Sequence, residues 1–146
     1  MAQFGRPSTD TTRDNWEEDD GTIVSIFDQI DEVAADDLDY IRTVATPTAD
    51  VYVTKLTTLS DPLSSTGHIV RYRYGKDTAG GAQIDQVVQL RQAYVSEAAQ
   101  GTLIASATHT NVAVVWVAGT FTLSGAEADS ITDYADLYLR FTGNQV

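Results

Sequence analysis

Residues 66–74 read Thr-Gly-His-Ile-Val-Arg-Tyr-Arg-Tyr, and the fold prediction starts from this stretch. Every second residue from His68 to Tyr74 is aromatic or aliphatic, and the alternate positions end in two arginines. This period-two alternation in β-forming residues predicts a half-buried strand. A similar strand, residues 136–142, closes the chain. Its side chains are predicted to face inward at Leu137, Leu139 and Phe141 and outward at Tyr138 and Arg140.

Other short segments with strand patterns lie between turn signals. They are residues 39–44, 50–59, 83–91, 102–108 and a long run over 112–123 with Gly119 as a bulge or bend. The glycine-bearing stretch 75–81, with its tip at Gly80-Gly81, predicts a hairpin loop. Roughly seven to nine such strands predict an all-β fold, a jelly-roll-like antiparallel β-sandwich.

Two segments predict short helices. Ile23, Ile26, Phe27 and Ile30 follow helical spacing, which favours one or two turns of helix over a strand at 22–27. Ser124 followed by Glu127 three residues later is a capping box, and it predicts a helix over about 125–131.

Residues 1–21 are polar and aperiodic, and they predict an extended N-terminal arm ahead of a single β-sandwich domain at 22–146. The arm contains two large apolar side chains, Phe4 and Trp16. Either both fold back on their own domain, or the arm lies across a neighbouring subunit. In the second case Phe4, Arg6, Pro7 and Trp16 are the candidate partner contacts.

The charge is strongly acidic and uneven. The chain has 21 acidic and 9 basic residues, a formal charge of −12, and residues 1–50 hold 13 acids and 3 bases, a net −10. This argues against nucleic-acid binding, which needs a basic face. The acidic half either solubilises the protein or docks on a basic neighbour. No apolar run approaches the about 20 residues of a membrane span. We therefore expect neither a nucleic-acid nor a membrane partner.

No pattern of catalytic, metal or cofactor-binding residues stands out. There is no cysteine, and neither His68 nor His109 has a neighbouring ligand at metal spacing. A catalytic triad would have to bring Ser64 or Ser65 to a histidine, and nothing in the sequence indicates this. Three aspartates, at positions 36, 37 and 39, do not fit the EF-hand loop. We therefore expect a protein that is not an enzyme and holds no cofactor or metal.

The aromatic side chains offer a different hypothesis, a carbohydrate-binding module, because aromatic rings present flat apolar surfaces to sugars. Core and cross-strand packing is the alternative role for these rings. The candidates are Tyr52, Tyr72, Tyr74, Tyr94, Trp116, Tyr134 and Tyr138.

Four motifs resemble a family of small proteins encoded in tailed bacteriophages and prophages. They are Arg6-Pro7-Ser8-Thr9-Asp10 with Trp16; Asp28-Gln29-Ile30-Asp31-Glu32 with 35–41; Asp61-Pro62 with 65–73; and 126–134 with Asp136-Leu137 and Leu139-Arg140-Phe141. Together they cover about half of the chain, and residues 92–122 match only loosely.

The resemblance implies a virion structural protein, assembled in the host cytoplasm. Within that class, a single small β domain with an extended arm leads to the hypothesis of a capsid decoration (cement) protein that contacts the major capsid protein and forms a homo-oligomer. A tail, baseplate or fibre component is the alternative. The resemblance implies no catalytic residue.

Overall fold

The computed structural model describes residues 2–78 and 81–146 and is almost entirely β. The predicted turn at Gly80 lies outside the described residues. The strands are β1 (Pro7–Arg13), β2 (Trp16–Glu18), β3 (Ile41–Thr43), β4 (Thr48–Leu56), β5 (Ile69–Tyr74), β6 (Ile84–Gln92), β7 (Thr102–His109), β8 (Val117–Thr122) and β9 (Leu137–Gln145). A 3₁₀ helix spans Ile26–Gln29 and a short helix, α1, spans Gly125–Asp129. No helix in the described part of the chain is long and apolar enough to cross a membrane.

Five strands form one antiparallel sheet in the order β1-β4-β9-β6-β7. Successive side chains of the interior strands point to opposite faces of this sheet, and both faces are buried. Tyr52 of β4 faces the main core, whereas Val51 and Val53 face the other side. Alternation of this kind places every second residue of a strand on the same face. The large sheet therefore has two covered faces and two edges, β1 and β7.

The second layer is the pair β5–β8, whose inward side chains pack on the large sheet. Val70 and Tyr72 of β5 and Phe121 of β8 contact the main core. A smaller pair, β2–β3, contributes the indole of Trp16. The all-β, sandwich-like prediction is confirmed. Its jelly-roll detail is not, because a jelly roll divides eight strands between two sheets and here the sheets have five, two and two.

The predicted strand at 66–74 is present as β5, and its alternation is as expected: Val70, Tyr72 and Tyr74 are half-buried, whereas Arg71 and Arg73 are exposed. The capping box is also confirmed. The Ser124 hydroxyl accepts from the Glu127 backbone at 3.3 Å, and the Glu127 carboxylate accepts from the Ser124 backbone at 2.7 Å.

The predicted long strand at 112–123 is shorter, since only Val117–Thr122 is paired, opposite β5. Gly119 does not make a bulge there. It lies opposite Tyr72, and a Cβ at Gly119 would be 2.4 Å from the Tyr72 ring. The glycine is required because the aromatic ring packs directly on the neighbouring backbone.

Two further pairing predictions are wrong for long-range reasons. The loop at 75–81 does not close a hairpin, because β5 pairs with β8 and β6 pairs with β7 and β9. Alternation within residues 102–108 also predicts Leu103, Ala105 and Ala107 on one face. Leu103 does not share a face with Ala105, because a register shift between Leu90 and Arg91 inserts an extra residue opposite them in β7. Leu103 is consequently exposed while Ala105 is buried.

The N-terminal segment, predicted as an arm, is largely part of the domain. β1 pairs with β4 along the edge of the large sheet, and Trp16 lies in β2 with 6% of its surface exposed. Ahead of β1, the Gln3 amide exchanges hydrogen bonds of 2.9 and 2.8 Å with the Ser60 backbone. The predicted division at residue 21 is corrected accordingly, because this segment pairs with and packs on the chain's own strands.

Candidate interaction surface

The four predicted partner contacts are not equivalent. Trp16 is in the core, where its indole N–H donates to the Asp50 carbonyl at 3.1 Å. Pro7 begins β1 and is half-buried, and Arg6 donates to the backbone carbonyl of Glu32. Phe4 is 66% exposed, with the Arg6 guanidinium 5.7 Å from its ring centre. Trp16 is therefore corrected from partner contact to core residue. Of the four predicted contacts, only Phe4 presents a large exposed apolar side chain.

Both histidines are held by tyrosines. His68 Nε2 is 2.8 Å from the Tyr134 hydroxyl, and His109 Nε2 is 2.6 Å from the Tyr72 hydroxyl. His109 also stacks on Tyr74 with ring centres 3.9 Å apart, and burial lowers the pKa of its imidazole. Among the described residues, neither ring hydrogen-bonds to a serine or a carboxylate. The triad considered in the sequence is therefore not assembled around either histidine.

Of the three aspartates at 36, 37 and 39, Asp36 binds the local backbone and Asp37 forms an ion pair. Asp36 accepts from the Leu38 backbone at 2.9 Å, and Asp37 holds the Arg73 guanidinium through two contacts of 2.5 and 2.7 Å. Within residues 2–78 and 81–146, no group of three His, Cys, Asp or Glu side chains is arranged to hold a metal ion.

Most of the aromatic rings considered for sugar binding are packed. Tyr52, Tyr94 and Tyr138 are buried, and Tyr72, Tyr74 and Tyr134 are half-buried. Burial and a hydrogen bond to Asp10 raise the pKa of the Tyr52 hydroxyl well above its usual range. Trp116 is the one candidate ring classed as exposed, at 36%. The rings do not form one continuous outward face.

Trp116 belongs to an exposed apolar surface on the outer side of β5–β8. The Asp37–Arg73 ion pair joins the 36–40 loop to β5, and Tyr40 contacts Trp116 edge to face with ring centres 5.3 Å apart. Leu38, in the same loop, is 83% exposed. We refer to this surface as the Trp116 patch, and its members are Leu38, Tyr40, Val114, Val115 and Trp116.

The loop that carries Val114–Trp116 packs against residues 75–76. The Lys76 backbone N–H donates to the Ala113 carbonyl at 2.8 Å. A Cβ at Gly75 would be 3.1 Å from the Val115 carbonyl, so the two backbones lie in close contact. The backbone that carries Val114 and Val115 is therefore restrained by its contact with residues 75–76, which lowers the entropy lost on binding.

An acidic surface adjoins the Trp116 patch. Residues 17–39 contain ten acidic residues and no basic one. Partial desolvation and the charges of Asp20, Asp28, Asp19 and Asp39 raise the pKa of Glu18, so Asp28 and Asp39 lie near the acids of 17–20. Within the described residues, only Glu17 and Asp37 of these ten have a basic side chain within salt-bridge distance. We call the ten acids of 17–39 the acidic face.

Sequence patterns alone missed the Trp116 patch. The run Val112 to Val117 was assigned to a strand, and only its last residue is in one. A signal was present, because Val114, Val115 and Trp116 are three consecutive apolar residues without alternation. In addition, residues 98–126 contain no Asp, Glu, Lys or Arg. An uncharged segment that is only partly strand leaves apolar side chains at the surface.

The far face of the large sheet carries a second buried cluster, formed by Val51, Val53, Tyr94 and Tyr138. Tyr138 was predicted to face outward; it points away from the main core but is buried beneath the loop that contains Tyr94. Glu97 of that loop accepts from Arg140 at 2.9 and 2.6 Å and from the Tyr94 hydroxyl at 2.8 Å. This face is therefore closed by its own side chains.

Glu97→Gln weakens the hydrogen bonds from Arg140 and Tyr94 and is expected to lower the free energy of unfolding by about 1–2 kcal/mol near neutral pH. The loss is no larger because Glu97 is partly solvent-exposed. Hydrogen bonds from Arg140 and Tyr94 lower the pKa of Glu97 from its ordinary value of 4.5. The stabilisation is thus complete above that value and is lost as the pH falls through the lower folded pKa. Denaturant titrations should show a wild-type advantage that shrinks in acid. Asp31→Asn, at an exposed carboxylate, should show no such trend.

Comparisons with known proteins give no relative. No protein-family model matches the chain, no curated protein matches its sequence, and no solved structure matches its fold.

Proposed function

We propose that the chain is a structural protein of a tailed-bacteriophage virion, a decoration (cement) protein that binds the outside of the capsid. The four sequence motifs support the class, and one structural observation supports the docking role. An exposed apolar surface, the Trp116 patch, lies beside the acidic face, and part of its backbone packs against residues 75–76. Protein interfaces combine these features, with an aromatic centre excluded from water and a charged rim.

The chemistry of the two surfaces specifies the partner. The Trp116 patch fits an apolar depression, and the acidic face fits a basic rim around it, so the partner is a basic surface of the major capsid protein. Complementary charge of this kind mainly increases the association rate and the discrimination against wrong partners. Because a shell presents many copies of one site, an oligomer of this chain would gain avidity from several weak contacts.

Co-sedimentation with shells assembled without this chain tests the proposal. We expect the purified protein to pellet with the shells at low ionic strength, and less so as salt screens the acidic face. Shells that carry it should withstand a higher temperature before they open. If the protein stays in the supernatant and the shells lacking it are equally heat-stable, the decoration role is wrong.

The tail or baseplate alternative predicts a different location. Gold-labelled antibody against this chain should mark the head of intact virions. Label confined to the tail would exclude the head assignment while leaving a docking role. Binding to a glycan array by the wild-type protein, lost in Trp116→Ala, would instead support the carbohydrate-binding alternative.

A further inference from the structure

The two edges of the large sheet differ in their protection against further strand pairing. β1 contains Pro7, Asp10 and Arg13, and its pairing with β4 shifts register at two points. The Asp10 carboxylate also accepts from the Ile26 backbone at 2.9 Å, which holds the 3₁₀ helix against this edge. Proline, charge, irregular pairing and covering segments are the usual means by which proteins prevent edge-to-edge association.

β7, at the other edge, has one irregularity, the register shift opposite Leu90 and Arg91, but no proline or charged residue. It reads Thr-Leu-Ile-Ala-Ser-Ala-Thr-His, without proline, glycine or a charged residue. Its inner side pairs with β6 from Gln86 to Gln92. Within residues 2–78 and 81–146, no backbone hydrogen bond joins its outer side to another segment. Leu103, Ser106 and Thr108 are exposed along it. The regular part of this edge, Ala105 to His109, is less protected than β1, and such an edge is a template for another strand.

The charge distribution indicates which strand can pair with the outer side of β7. Two copies of a chain with a charge of −12 repel each other, and the repulsion is weakest where neither copy carries charge. β7 lies inside the uncharged segment 98–126, together with the turns at both of its ends. We propose that β7 is a self-association site, at which a second copy of this chain pairs its own β7 in antiparallel orientation.

With a two-fold axis through Ser106, residues that lie opposite each other in the two copies point to the same face of the sheet. Ala105 of one copy then lies opposite Ala107 of the other, and both side chains point to the core side. The small side chains in the middle of β7 allow close approach of the two backbones. The two large sheets would continue into one sheet across the axis, an isologous interface of the kind most common in homo-oligomers. This inference does not depend on the proposed function.

Sedimentation equilibrium of the purified chain tests the proposal, with Ser106→Lys as the test variant. Lysine on an edge strand is a natural block to pairing. It also reduces the net negative charge, so weaker association cannot come from greater overall repulsion between the chains; at the proposed axis the two lysines would lie opposite each other and repel locally. We expect a dimer for wild type and a monomer for Ser106→Lys, with equal melting temperatures at concentrations low enough for wild type to be monomeric. Thr11→Lys, exposed on the protected edge β1, makes the same change in charge and should remain a dimer.

Hydrogen exchange adds a measurement on the wild type alone. Backbone amides of β7 should gain protection as the concentration rises through the dimer range, whereas those of β1 should not change. A wild-type protein that remains monomeric at the highest concentration overturns the proposal. So does a dimer that persists in Ser106→Lys. Neither result bears on capsid binding, which is measured separately with shells.

Discussion

Trp16→Ala is expected to lower the free energy of unfolding by about 3–5 kcal/mol, the range for removing a large aromatic side chain from a core. The indole packs on Tyr52 and Phe141, with ring centres 6.2 and 6.5 Å away, and its N–H donates to the Asp50 carbonyl. Alanine would leave a cavity between the β2–β3 pair and the large sheet, and it would remove the partner of that buried carbonyl. Equilibrium denaturation followed by near-ultraviolet circular dichroism measures the loss.

Phe4→Ala is the matched control, because Phe4 was predicted in the same arm and is mostly exposed. Its effect on the free energy of unfolding should stay within about 0.5 kcal/mol. If Trp16→Ala is as stable as wild type but no longer binds its partner, Trp16 is an interface residue and its place in the core is wrong.

Trp116→Ala is expected to weaken binding to the capsid by about 2 kcal/mol or more, roughly 30-fold in the dissociation constant. Exposed tryptophans at the centre of an apolar surface are the residues most often found as binding hot spots. Stability should change less than in Trp16→Ala, because the Trp116 ring is 36% exposed and its aromatic contact is the edge-to-face one with Tyr40. Titration of fluorescently labelled protein onto shells measures the affinity, and thermal unfolding measures the stability.

Leu63→Ala provides the control for exposed apolar area. Leu63 is 90% exposed, on the loop that precedes β5, and it is not part of the Trp116 patch. Its removal should leave the affinity for shells unchanged. Equal losses in Leu63→Ala and Trp116→Ala would mean that binding is non-specific adhesion of apolar surface, and the assignment of the Trp116 patch would fail.

Local patterns in the sequence predicted local structure well. The alternation of β5 predicts that one face of the strand is buried, and this is true whichever sheet it packs against. The capping box of α1 is satisfied within four consecutive residues, so it needs no knowledge of the rest of the fold. The same applies to the 3₁₀ helix at Ile26–Gln29, which was predicted from the spacing of apolar side chains.

Features that depend on distant segments could not be predicted in this way. The polar composition of 7–13 indicated an arm, yet pairing with β4 places it in the sheet. Tyr138 was assigned to solvent because its strand alternates, but a loop between β6 and β7 covers it. The Trp116 patch was missed because its two halves, 38–40 and 114–116, are far apart in sequence and meet only through the Tyr40–Trp116 contact.

Hydrogen exchange of the free and the capsid-bound protein tests the central claim most directly, namely that the Trp116 patch and the acidic face form the docking surface. Backbone amides in 36–40 and 113–117 should become protected on binding, while those in 61–64 should exchange as in the free protein. The claim is contradicted if the protein binds shells and protection appears at 61–64 or in the N-terminal residues 2–6, with 36–40 and 113–117 unchanged.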